Sequence, residues 1–305
     1  RPLVDRHAAL KAACEIRHTP DRITSDEKPA LALRNGRQSS MRLAIDAVAD
    51  GHANAVVSAG NTGALMALAK FSLKVLPGVD RPAISTFMPT KKAGHGAVFM
   101  DLGANAECDP QNLLQFAVLG SVFSRQIFGI ERPKIGLLNI GSESMKGNEL
   151  VRQSAELFEK ADLPGEYAGY AEGDDIMSGH FDVVITDGFT GNVALKSIEG
   201  TAKLLGRMGK QAFKASWMMK VGLLLASPGL LVALPGFLAL RKRLDPRYYN
   251  GASLLGLKGL CIKSHGGTDA IGFANAIGVA YDLAAKGFIQ QVEAELQKTG
   301  QEAAA

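Results

Sequence analysis

Five times along this chain a short apolar run ends in a loop of Gly, Asn, Ser and Asp, and a helical pattern follows. The runs lie at 55–58, 97–100, 135–138, 181–186 and 260–262, and the loops at 59–63, 101–105, 139–148, 187–192 and 264–269. Helices are expected over 64–75, 110–128, 149–161, from 192 to about 208, and over 270–285. Apolar runs without polar alternation suit strands buried on both faces. Strand, loop and helix in regular alternation predict a mostly parallel sheet covered on both sides by helices, a three-layer α/β fold. In such sheets the strand-to-helix loops emerge at the carboxyl edge, where ligands bind. All five loops are therefore expected on one rim.

Helix amino termini behind such loops offer unpaired N–H groups and partial positive charge, which favour an anion. The loops supply one cation, Lys146, with Asn61, Thr62, Asn105, Asn148, Thr190 and Asn192 as donors. This make-up predicts a phosphate or carboxylate site, while any single Gly-Asn loop can equally be a plain turn. The known phosphate motifs are missing. Around Lys146 the order of Lys and Gly is wrong for a Walker loop, and Gly94-His-Gly96 is followed by Phe99 where a dinucleotide fingerprint needs glycine. No zincin or nucleophile-elbow motif occurs. The three cysteines, Cys14, Cys108 and Cys261, are far apart and form no metal or disulfide pattern, which suits a reducing compartment.

Charge singles out one further region. Residues 206–250 carry eight cations against Asp245 alone, a net +7 in a chain of net +4, which leaves the rest at −3. That balance gives no argument for nucleic acid. Within the window, 221–240 is twenty residues without a charge, interrupted by Pro228 and Pro235. Prolines at those places argue against a simple transmembrane helix. Two short helices, over 217–226 and 230–240, are expected to fold as an apolar hairpin, an insertion spanning 213–245 of an otherwise single domain covering 1–305. Its bounding cations, Lys214, Lys220 and Arg241 to Arg243, suit an anionic lipid surface, with Trp217, Leu224, Leu231, Leu234 and Phe237 as the contact residues. A dimer interface is the competing reading of the same hairpin.

Several segments together, in order and over essentially the whole chain, resemble the phosphate acyltransferases of bacterial phospholipid synthesis. They are SAGNTGALM at 58–66, DLGAN at 101–105, NIGSE at 139–143 with Lys146-Gly147-Asn148, and DGFTGN at 187–192 followed by Leu195-Lys196. GASLLG at 251–256, His265-Gly266 and Ser39-Ser40-Met41 extend the match. The resemblance implies transfer of a fatty acyl group from acyl carrier protein to inorganic phosphate, without a cofactor or metal. It also implies a fold like those of isocitrate and isopropylmalate dehydrogenases and phosphotransacetylase. A cytoplasmic homodimer at the inner membrane face is implied as well, its product passing to a membrane glycerol-3-phosphate acyltransferase. By the same resemblance Lys146 and Asn192 are the expected catalytic residues. Asn61, Thr62, Gly63, Asn105, Gly141, Asn148, Gly191 and His265 are the expected binding residues, and Asp101 and Asp187 are read as loop anchors. Members of the family open with a strand ending in an Asp-Ala-Met-Gly-Gly-Asp turn that this chain, beginning at Arg1, does not contain; we expect its amino terminus to be truncated. The rival readings are a short-chain phosphotransacetylase using coenzyme A, a non-enzymatic membrane adaptor and a metal-dependent decarboxylating dehydrogenase. For the last, only Asp174-Asp175 offers paired carboxylates.

Overall fold

The apolar runs form strands whose side chains alternate between two cores. The computed structural model of the chain describes residues 2–302 apart from 93, 95, 215 and 216; the side chains of 3, 212–217, 219, 220, 223, 241, 242, 244 and 300–302 lie outside the description. His95, expected from the sequence to be a surface residue, and the side chain of Trp217, expected to contact lipid, thus fall outside the described residues.

Eight strands make one sheet: β1 (Ala55–Ser58), β2 (Ala83–Pro89), β3 (Gly96–Met100), β4 (Lys134–Leu138), β5 (Glu166–Ala171), β6 (Val183–Ile185), β7 (Ala252–Leu255) and β8 (Leu260–Lys263). Their order is β1-β8-β7-β2-β3-β6-β4-β5. Val98, Met100, Ile135, Leu137, Val183, Ile185 and Ile262 face one core, shared with the helices Pro110–Phe128, Ala270–Ala285 and Phe288–Glu302. Val56, Ile84, Phe99, Val184, Leu254 and Cys261 face the other, shared with Pro29–Asn35, Ser40–Ala49 and Thr62–Leu73. This is the expected three-layer arrangement. The central helix begins and ends where its sequence dictates. Asp109 and Asn112 form a capping box, Pro110 occupies the first turn, and Gly129 closes the helix at φ 70°.

Strand direction departs from the expectation. β3, β6, β4 and β5 are mutually parallel, and β1 is parallel to β8. Between the two groups, β7 is antiparallel to β8, and β2 is antiparallel to both β7 and β3. Three reversals in succession leave β1 and β8 running opposite to β3, β6 and β4. The loops after β1 and β8 therefore leave the sheet at the rim opposite to the loops after β3, β4 and β6. The single rim expected from the five repeated units is two rims.

The helix Gly188–Lys214 starts at the end of β6 and is followed by Trp217–Leu225 and Ser227–Leu244. The last of these is longer than the helix expected over 230–240, and Pro235 lies inside it. Proline deprives a helix of one backbone hydrogen bond without forbidding the flanking turns. Leu224, Leu231, Leu234 and Phe237 are all exposed. No helix of the described residues is long and apolar enough to cross a membrane. After the arm the chain returns to the body at the rim of β1 and β8, where Arg243 donates to the carbonyls of Thr90 and Lys91, just past β2.

Candidate functional site

The ends of β3, β6 and β4 lie side by side, and their loops form the first rim. Its hub is Asp101, wholly buried at the end of β3. Its carboxylate accepts from Ile84 N at 2.9 Å, Ala104 N at 3.1 Å, Asn105 N at 2.8 Å and Asn105 Nδ2 at 2.9 Å. Burial pushes its carboxyl pKa up while these donors pull the other way. Asn105 spends its side-chain amide on Asp101 and on the Pro82 carbonyl. It shapes the loop and has no amide hydrogen left for a ligand.

The 188–214 helix meets this hub at close range. A Cβ on Gly191 would lie 1.9 Å from the Asp101 carbonyl oxygen, so only glycine permits the approach. Asp187 caps the helix start, accepting from Thr190 N at 2.9 Å and Thr190 Oγ1 at 2.6 Å. Asp101 and Asp187 are thus the loop anchors their sequence context suggested. Asn192 follows in the first turn, against Gly103, whose φ of +121° lets the loop pass beneath it. Asn192 is exposed, and its amide makes no hydrogen bond among the described residues.

Lys146 sits in the long loop after β4. Asn139 holds that loop shut, donating from Nδ2 to the Lys146 carbonyl at 3.2 Å, and Gly147 turns at φ +94°. A Cβ on Gly141 would meet Glu143 Oε2 at 2.7 Å and Lys146 Cγ at 3.3 Å, so this glycine gives the lysine stem its room. The Lys146 ammonium is 3.7 Å from Glu143, with the two side chains 47% and 61% exposed. An exposed pair of that kind contributes at most about 1 kcal/mol and yields readily to a stronger anion. Asn148 caps the next helix, accepting from Val151 N at 2.9 Å. Arg152, not singled out from the sequence, donates to the Gly147 carbonyl at 2.6 Å and adds a second cation to the loop.

The second rim holds Asn61, Thr62, Gly63 and His265, and the structure does not bring them to Lys146 and Asn192. Asn61 is fully committed: Nδ2 donates to the carbonyls of Thr24, Ser25 and Glu27, and Oδ1 accepts from Ala64 N as a helix cap. A Cβ on Gly63 would lie 2.9 Å from Pro29 Cγ, which makes that glycine a packing residue. His265 is exposed, its Nδ1 accepting from Gly267 N at 3.1 Å. Asn250 binds this loop to the end of the arm. Nearly buried, it donates to Ser264 Oγ and the Gly272 carbonyl and accepts from His265 N. Arg247 adds ion pairs to Asp245 and Asp269. Nothing in the sequence around Asn250 marks this role, because its partners are 14 to 22 residues away.

Among the described residues neither rim holds an activated thiol. Burial pushes Cys108 up to about 11 and Cys261 up to about 12, so both stay protonated at neutral pH. Among the described residues no three His, Cys, Asp or Glu side chains gather as a metal site. What the first rim offers is two cations, a free amide and three helix amino termini, held by spent loop residues. Such a rim can hold an oxyanion and donate to a second one developing beside it.

The chain is similar to known proteins over nearly its whole length. The model of the fatty acid synthesis protein family matches residues 1–291. The phosphate acyltransferase of Rhodospirillum centenum is 56% identical over 298 residues, covering 98% of this chain and 81% of that protein. That of Rhodospirillum rubrum is 50% identical over 297 residues, 97% of this chain and 82% of that protein. Among solved structures, a phosphotransacetylase from Streptococcus pyogenes superposes with a TM-score of 0.55 at 19% identity, over 82% of this chain and 68% of that one. That likeness concerns the fold.

Proposed function

The chain belongs to the fatty acid synthesis protein family, and on that premise we propose that it is a phosphate acyltransferase moving a fatty acyl group from acyl carrier protein to inorganic phosphate. The observation that carries the reading is the first rim. There Lys146 and an uncommitted Asn192 rise from adjacent parallel strands beside three helix amino termini. Lys146 and the rim amides hold phosphate against the thioester. A phosphate oxygen attacks the carbonyl carbon, a C–O bond forms, and the carbonyl electrons move onto oxygen. Asn192 and the N–H groups of its helix start donate to that oxyanion. Its collapse breaks the C–S bond, and the carrier leaves as thiolate, which takes a proton from solvent. Phosphate is ionised at neutral pH, so positioning and charge stabilisation suffice without a covalent enzyme intermediate or a general base.

The exposed apolar residues of the arm support a membrane-facing or self-associating role, since so many large apolar side chains exposed in one segment call for a partner. The reading includes a homodimer, peripheral association with the inner membrane face and hand-over of the acyl phosphate to a membrane glycerol-3-phosphate acyltransferase. Incubation with palmitoyl-carrier protein and phosphate, followed by hydroxylamine, is the test. Hydroxamate in proportion to enzyme is expected. Its absence, or formation only from a short-chain coenzyme A thioester, overturns the reading.

A further inference from the structure

The helix that carries Asn192 continues outward for about six more turns, and its charge is sorted. At 3.6 residues per turn, Asn192, Lys196, Lys203, Arg207 and Lys210 fall within about 60° of one another around the axis. Ala194, Leu195 and Ile198, on a different face, pack on the sheet. The cationic face stands clear of the body: the Lys196 and Lys203 side chains are 60% and 69% exposed, and Arg207 and Lys210 are exposed too. Glu199 alone opposes them, paired to Lys196 at 3.0 Å and Lys203 at 3.9 Å. A solvated helix face ordinarily interleaves both signs. This one rises from the candidate catalytic amide, with Lys203 about 17 Å and Lys210 about 27 Å along the axis from Asn192 at 1.5 Å per residue.

We propose that this stripe is the docking surface for the acidic protein that carries the acyl thioester, an inference that rests on the function proposed above. A carrier seated on Lys203, Arg207 and Lys210 has its thioester arm directed down the same helix face to Asn192 and the phosphate beside Lys146. Charge complementarity selects the occupant, and the rooting of the stripe at the first rim favours a substrate-bearing protein over lipid. The exposed apolar residues of the same helix, Leu204, Leu205 and Met208, fall on a different face from the stripe, and the longer apolar stretch lies beyond it, from Met218 onward. Docking through exposed charge governs encounter rate and salt dependence more than the chemical step.

The test is the triple variant Lys203→Glu, Arg207→Glu and Lys210→Glu, with the triple variant Lys160→Glu, Lys258→Glu and Lys298→Glu, at exposed positions outside the stripe, as control of equal net charge. Carrier affinity is read by fluorescence anisotropy, turnover with palmitoyl-carrier protein, and lipid affinity with phosphatidylglycerol vesicles. The stripe variant should raise the KM and Kd for the carrier roughly tenfold or more and flatten their salt dependence, leaving kcat and the KM for phosphate unchanged. The control should change neither. Unchanged carrier affinity overturns the proposal, whether or not vesicle binding falls; so does an equal loss in the control, or a parent protein that does not bind the carrier. A parent that binds the carrier through the stripe yet forms no acyl phosphate sinks the function and leaves the docking surface standing.

Discussion

Two rims of one sheet carry the same vocabulary of glycine, asparagine and helix starts, yet they are built for different ends. At the rim of β1 and β8, Asn61 has every polar atom engaged, and Asn250 knots the 264–269 loop to the end of the arm. At the rim of β3, β6 and β4, engaged residues such as Asp101 and Asn105 support neighbours that are free, Asn192 above all. A reactive rim needs both kinds of residue: some committed to holding the loop, others left over for the ligand. The second rim has fastening in abundance and little left over.

Substitutions can break or sharpen that contrast. The largest effect is expected at the free residues. Lys146→Ala or Asn192→Ala should each lower kcat by about 10²–10³-fold, the cost of removing one oxyanion partner. Because both side chains are exposed, the thermal midpoint should hardly move, which calorimetry would show. His265→Ala under the same assay should leave kcat unchanged; a comparable loss there would exchange the roles of the two rims. Next comes Gly191→Ala. With backbone oxygen 1.9 Å from the new Cβ, the helix must back away from Asp101, at a cost of about 3 kcal/mol in urea unfolding and a fall in turnover. Asn61→Ala reverses that pattern at the second rim. It should cost about 2 kcal/mol, from a lost cap and three unserved carbonyls, while kcat per folded molecule is retained. The smallest effect concerns thiols. With pKa values raised to about 11 and about 12, Cys108 and Cys261 stay protonated at pH 8, so iodoacetamide should label exposed Cys14 first and Cys261 only on unfolding.

The layers of the fold were legible because buried strands leave apolar runs and the loops behind them leave glycine and asparagine. β2 and β7 lacked that mark, since each leads into a hairpin with its neighbour, β2 to β3 and β7 to β8. β5, on the sheet edge and half-exposed, lacked the apolar run. Those omissions had a consequence beyond themselves. An apolar run reads the same in either direction, so only β7 and β2 reveal that the sheet reverses, and without them five loops seemed to converge. Lys146 and Asn192 were legible through resemblance. That Asn61, Asn105 and Asn148 are committed was not, because a capping asparagine and a ligand-binding one are the same residue in the same kind of loop.

The arm leaves the body at one rim and re-enters at the other, with Arg243, Arg247 and Asn250 riveting the return. A stalk on one root can swivel; one planted at two separated points cannot. Whatever grips the far end of these helices therefore fixes the compass heading of the whole body, and with it the direction in which the Lys146 rim looks.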